Sequence, residues 1–158
     1  MNILILCTGN SARSILLESI LNHEGGGRVH AFSAGSQPAG QVHRQSLKLL
    51  EALGRDTARA RSKSWDEFAA PDAPKMDAVI TVCGSAAGET CPIWPGAPVR
   101  AHWGVEDPAT APEPEQPAAF QAAYEILHRR AAALLALPLD QLDAVALKSE
   151  LDCIGTLP

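Results

Sequence analysis

Apolar positions along this chain alternate between short unbroken runs and longer stretches with helical spacing. Asn2–Leu6 is a continuous apolar run with two isoleucines and predicts a strand buried on both faces. From Ser14 to Leu21 the spacing of Leu16, Leu17, Ile20 and Leu21 predicts a helix, ended by Gly25-Gly26-Gly27. Val29–Ala34 predicts a second strand closed by Gly35. A helix from about Gln41 to Leu53 follows, turning Leu47, Leu50 and Leu53 inward and stopping at Gly54. Ser64-Trp65-Asp66-Glu67 resembles a capping box opening one helical turn. Met76–Val82 predicts the third strand, ending at Cys83, and Val99–Trp103 the fourth. Four prolines between Pro108 and Pro117 predict a loop. Phe120, Tyr124, Leu127, Ala131, Leu134 and Leu135 then line a long amphipathic helix ended by Pro138, and residues 139–154 predict one more helix.

Strand alternating with helix implies an α/β fold, a doubly wound four-stranded parallel sheet with helices on both faces. Right-handed crossovers favour the strand order 2-1-3-4. In that order the winding reverses between strands one and three, where ligands bind outside the carboxyl ends of the strands. Cys7 and Cys83 end those two strands. The organisation expected is one α/β domain over residues 1–138 with a C-terminal helical extension over 139–158.

The balance of 13 Lys and Arg against 18 Asp and Glu gives a net charge of −5, which argues against a nucleic-acid binder held by phosphate contacts. No apolar stretch approaches the ~20 residues of a membrane span. The start, Met1-Asn2-Ile3-Leu4-Ile5-Leu6, lacks a cationic leader, so a cytoplasmic location is expected. Four cysteines, at 7, 83, 91 and 153, are then expected as free core thiols or redox chemistry. Zinc is disfavoured, because no C-x2-C or H-x3-H spacing occurs.

Cys7-Thr8-Gly9-Asn10-Ser11-Ala12-Arg13-Ser14 is a C-x5-R loop between a strand and a helix N-terminus. Small residues let the backbone curl so that successive N–H groups point at one centre. The helix adds unsatisfied donors and a positive dipole end, a combination suited to a tetrahedral oxyanion. Arg13 can clamp two oxygens. The same surroundings are expected to lower the Cys7 pKa and make it a nucleophile, with Ser14 donating a further hydrogen bond to the thiolate. No G-x4-G-K-[ST] occurs, so the loop is not of the Walker type.

Together with Ser33-Ala34-Gly35, Val82-Cys83, Cys91-Pro92, His102-Trp103-Gly104 and Asp107-Pro108, this loop resembles the thioredoxin-coupled arsenate reductases, which share the low-molecular-weight protein tyrosine phosphatase fold. The resemblance spans about residues 2 to 137. It implies arsenate reduction and arsenic detoxification by a thiol relay. Cys7 would attack bound arsenate, with phosphate and sulfate as competing oxyanions, and Asp107 would protonate the departing hydroxide. Glu106, its neighbour, is the lesser candidate. Cys83 would attack the Cys7 sulfur and expel arsenite, and Cys91 would take over the disulfide. No bound cofactor is implied. An external thiol reductant would recycle the enzyme, thioredoxin being favoured over a glutathione or glutaredoxin route. Some members hold a potassium ion behind the loop, at positions matching Asn10, Glu18, Ser33 and Asp66. Cys153 has no counterpart in the relay. Trp65, Trp94, Trp103 and His102 are expected to serve packing.

A helical 83–91 segment would separate its cysteines by about 12 Å. A disulfide needs less than ~7 Å. Gly84–Thr90 is therefore expected to rearrange between redox forms. Two other readings remain: a low-molecular-weight phosphatase hydrolysing phosphate monoesters, and a non-catalytic oxyanion-binding module. Against the phosphatase stand Ala109 after Pro108, where a Tyr often lines the rim, and the placement of the chain's one Tyr, Tyr124, in a helix.

Overall fold

The computed structural model describes residues 1–88 and 94–158. Its centre is a four-stranded parallel sheet in the order β2-β1-β3-β4, built from β1 (Asn2–Leu6), β2 (His30–Ala34), β3 (Ala78–Thr81) and β4 (Val99–His102). Ile3, Leu4 and Ile5 have no exposed surface, because β1 is interior and both sheet faces are covered. The long helices are α1 (Arg13–Glu24), α2 (Arg44–Ala52), α4 (Gln116–Leu135) and α5 (Ala144–Ile154), with a single short helix, α3 (Gly84–Gly88), directly after β3. Leu16, Leu17, Ile20 and Leu21 of α1 are fully buried, and α1 packs on β2 and α4. Among the described residues, no helix is long and apolar enough to cross a membrane.

Several boundaries differ from those read off the sequence. Helix α2 begins at Arg44, because His43 caps it by accepting the Gln45 N–H on Nδ1. Leu53 falls past the last turn and is exposed rather than turned inward. The segment from Pro108 holds two single helical turns, Pro108–Thr110 and Glu113–Glu115, and Pro117 lies in the first turn of α4, where its missing N–H costs nothing. Residues 139–154 split into one turn, Leu139–Gln141, and α5, which Asp143 caps through the Ala146 N–H. The one-turn helix Trp65–Phe68 is capped by Ser64 Oγ, which accepts from Asp66 N–H.

Gly35 joins β2 to the loop after β1. A Cβ there would fall 2.6 Å from the Cys7 carbonyl oxygen and closer still to that of Thr8, both of them backbone atoms that cannot yield without moving the loop. Gly35 N–H donates to Lys63 O and its carbonyl accepts from Trp65 N–H, so the crossing is tied on both sides. Gly35→Ala is expected to destabilise the fold by about 1–3 kcal/mol in urea denaturation and to abolish oxyanion binding by the displaced loop, measured by calorimetry with phosphate.

Candidate active site

The loop after β1 is turned inside out by its own hydrogen bonds. Thr8 O accepts from Gln37 N–H, Gly9 O from Ala39 N–H and Ser62 Oγ, and Ser11 O from His43 N–H and Ser46 Oγ. With the carbonyls tethered outward, the N–H groups of Asn10 to Arg13 have no protein acceptor among the described residues. Asn10 makes the curl by taking φ 46°, a left-handed conformation that Asn tolerates better than most residues. Its buried side chain locks that turn: Oδ1 accepts from Lys63 N–H at 3.0 Å and Nδ2 donates to Ser14 Oγ at 2.8 Å. Ser14 is therefore paired with Asn10, and the hydrogen bond expected from it to Cys7 is not made. Ala12 precedes α1 without a side-chain cap, leaving the helix dipole end open.

Cys7, the loop from Thr8 to Arg13, Cys83, Gly84, Asp107 and Ala109 line a cleft of about 440 Å³. Arg13 Nη1 donates to Val105 O at 2.8 Å, and Nη2 lies 3.5 Å from Asp107 Oδ2. Its Nε is buried and unpartnered among the described residues. The second Asp107 oxygen caps the turn at Pro108 by accepting from Ala109 N–H, so one carboxylate serves both the local fold and the cleft. Glu106 is exposed.

Cys83 sits at the head of β3 beside the loop. Its sulfur accepts from Thr8 N–H and Ala86 N–H, each at 3.4 Å, and lies 3.7 Å from Thr8 Oγ1. Cys7 and Cys83 line the same cleft and act on each other's protonation. The Cys7 thiol lowers Cys83 to about 5, helped by the Thr8 and Ala86 amides against burial. Cys83 and burial push Cys7 up, against Arg13 and the Gly9 amide. The loop thus acts on Cys7 in the direction the sequence implied, and the neighbouring thiol opposes it. The two sulfurs titrate as one coupled pair.

Cys91 lies outside the described residues. Cys153 is an exposed free thiol on α5. Trp94 and Trp103 are buried and Trp65 packs edge-on against Trp94, while His102 Nδ1 is 2.7 Å from Thr81 Oγ1.

Behind the loop lie the four positions matched to a potassium site. Asn10 and Ser33 are fully buried, but Asn10 Oδ1 is spent on Lys63 N–H and Asp66 is exposed. Lys63, which sequence reasoning passed over, brings its ammonium to 3.8 Å from Glu18 Oε2 and donates to Arg61 O. Burial raises the Glu18 pKa, opposed by Lys63, and burial lowers that of Lys63, opposed by Glu18. Ser33 Oγ is near enough to favour the Glu18 carboxylate but completes no hydrogen bond. The Lys63 ammonium faces Glu18 at this distance, while Glu18 Oε2 and Ser33 Oγ are buried without a hydrogen-bond partner among the described residues, so these two oxygens are the ones left to receive a potassium ion, and no step is routed through that ion. Among the described residues no group of His, Cys, Asp or Glu could hold a metal. Gly35, Lys63 and the Val105 carbonyl carried no local signal, since each acts through backbone contacts distant in sequence.

A parallel sheet bearing an oxyanion loop, a carboxylate and a thiol nucleophile defines a phosphatase-like class. The profile of the low molecular weight phosphotyrosine protein phosphatase family matches residues 2–148. The arsenate reductase of Halalkalibacterium halodurans is 37% identical over 109 residues, covering 69% of this chain and 75% of its own. An arsenate reductase solved in the phosphate-binding state superposes with a TM-score of 0.68 at 25% identity, covering 85% of this chain and 96% of that one. The thioredoxin-dependent arsenate reductase of Corynebacterium glutamicum gives 0.62 at 26% identity, over 84% and 59% of the two chains. This chain belongs to the low molecular weight phosphatase family, in its arsenate reductase branch.

Two measurements check the electrostatics. Thiolate absorbance at 240 nm should show one transition near pH 5, which Cys7→Ala moves toward 9 by removing the donor. Lys63→Met should cost about 3–5 kcal/mol at pH 7 in urea, the cost of stranding Glu18.

Proposed function

We propose that this protein reduces arsenate to arsenite with two electrons drawn from its own cysteines and returned by thioredoxin. The observation that carries the reading is the second sulfur: Cys83 shares the cleft with Cys7 and accepts from the first amide of the oxyanion loop. Hydrolysis of an ester needs no thiol at that place.

Arsenate resembles phosphate in shape and charge, and the inward N–H groups and Arg13 hold its oxygens. Cys7 passes its proton to Cys83 and becomes the thiolate, a charge that Arg13 and the Gly9 amide favour. Its sulfur bonds to arsenic, and Asp107 protonates the hydroxide that leaves as water. Cys83 then gives up that proton to solvent and attacks Cys7 Sγ as the thiolate. The S–As bond breaks with its electron pair going to arsenic, which falls from As(V) to As(III) and departs as arsenite. Two thiols have become one disulfide, so the electrons balance. Because Cys83 lines the same cleft as Cys7, this first exchange needs little backbone motion. Cys91 attacks Cys83 next, freeing Cys7 and passing the disulfide outward for thioredoxin to reduce.

The family model and Asp107 support a second reading, hydrolysis of phosphate monoesters by the same loop. Against it, Ala109 stands at the cleft edge, offering no aromatic rim. Tyr124 is buried in α4, bonded by Arg55 and stacked on His128.

Supplied with thioredoxin, thioredoxin reductase and NADPH, the wild type should form arsenite catalytically. Cys83→Ser should stop at the Cys7–arsenate adduct while any hydrolysis of p-nitrophenyl phosphate persists, and Asp107→Asn should lower kcat by about 10²–10⁴-fold. Undiminished arsenite turnover in Cys83→Ser would eliminate the relay.

A further inference from the structure

The segment from β4 to Asp107 is the outer wall of the cleft, and little of what holds it belongs to the cleft. Trp103 is fully buried and its indole N–H donates at 2.9 Å to Leu151 O, in the last turn of α5. Gly155, just past α5, lies so close that a Cβ there would meet His102 O at 2.6 Å and Trp103 Cδ1 at 2.9 Å. Leu147, Leu151 and Ile154 bury the inner face of α5, which packs against β4 and α4. The residues making these contacts, Leu151, Gly155 and Leu157, lie past the end of the family match at residue 148.

Arg130 of α4 joins this tail to the wall. It is 6% exposed, a buried cation, and among the described residues no carboxylate pairs with it. Its guanidinium instead donates Nε–H to Leu157 O at 3.0 Å and Nη1–H to Gly104 O at 3.2 Å. Burial lowers its pKa, with Arg129 beside it acting the same way. Burying a guanidinium against two carbonyls is an expensive way to fasten a surface tail, since apolar packing would do it at less cost. The arrangement makes sense where the rigid, planar fork is needed to fix two backbone segments relative to each other.

One residue beyond Gly104, Val105 donates its N–H to Val82 O and accepts Arg13 Nη1–H on its carbonyl. Asp107 follows two residues later, facing Arg13 Nη2. Hydrogen bonds from Arg130 to Leu157 O and Gly104 O, followed by the single peptide link from Gly104 to Val105, therefore connect the tail to the residue that orients the oxyanion-binding guanidinium.

We propose that Arg130 is a positioning residue for the reaction, clamping the C-terminal tail to the Gly104 carbonyl and thereby setting Val105, Arg13 and Asp107 around the bound oxyanion. This rests on the reading of the loop as the substrate site, and one readout is chosen to be independent of arsenate. The variants are Arg130→Lys, which keeps the charge but cannot span both carbonyls, Gly155→Val, which wedges the tail off His102 and Trp103, and the two combined. Val29→Ala, a cavity at the opposite end of β2, is the stability control. Three quantities are measured: the phosphate concentration that half-protects Cys7 from iodoacetamide, read by peptide mass spectrometry; kcat and KM for arsenate; and melting temperature.

Each single variant should raise the half-protecting phosphate concentration and lower kcat by about tenfold, as expected for a reacting group displaced by a fraction of an ångström. The double variant should be no worse than the poorer single one, because both break the same clamp. Val29→Ala should lower the melting temperature without moving either quantity. If Arg130→Lys and Gly155→Val lose stability as Val29→Ala does but protect and turn over as wild type, Arg130 only holds the scaffold and the proposal fails. Effects that multiply in the double variant would equally overturn it, by showing that tail and arginine act separately. A wild type that phosphate protects but that forms no arsenite would remove the substrate assignment and leave the clamp to be judged on protection alone.

Discussion

Two coupled sulfurs just past the carboxyl ends of adjacent parallel strands are the interaction on which this molecule turns. Neighbouring strands of a sheet lie about 4.8 Å apart, and with Leu6 level with Thr81, Cys7 and Cys83 follow one and two residues past the paired ends. The order β2-β1-β3-β4 makes those strands neighbours at the point where the winding reverses, which is where the sheet leaves room for a ligand. Cys7 and Cys83 are held there by the core itself. Cys83 accepts from the Thr8 and Ala86 amides, so a negative charge on the pair meets backbone donors on this side as well as Arg13 and the Gly9 amide on the other.

Everything surrounding that pair keeps the loop curled without consuming its donors. The outward carbonyls are spent on residues 37, 39, 43, 46 and 62, the left-handed turn is stabilised by the Asn10 side chain, and Gly35 gives the backbone space to cross. Burying Glu18 and Lys63 underneath is costly for each ion alone and tolerable because they face each other.

A phosphatase and a reductase can therefore share one oxyanion loop and differ by what stands opposite the nucleophile. Both need inward amides, an arginine and an acid at the leaving oxygen. Substituting a sulfur for an attacking water changes hydrolysis into electron transfer, because sulfur can accept a bond to sulfur while the metalloid leaves with the electron pair. The narrow rim at Ala109 complements this, since a small inorganic anion needs no aromatic shelf.

The sheet order, the two strand-ending cysteines and the C-x5-R loop were legible from residue order because they depend on local periodicity and on the few ways parallel strands can connect. The helices' buried faces followed from the same spacing. Boundaries failed where one side chain or turn overrode the pattern, as His43 does in starting α2 and the end of that helix does in exposing Leu53. The coupling of the thiol pair was illegible for a different reason: it depends on the approach of residues 76 positions apart, which opposes what the loop alone does to Cys7. Lys63 facing Glu18, the Gly35 crossing and the Arg130 clamp are of the same kind. Composition and periodicity say which face a residue turns inward, but only the folded chain brings together groups whose charges and protons then decide what the site can do.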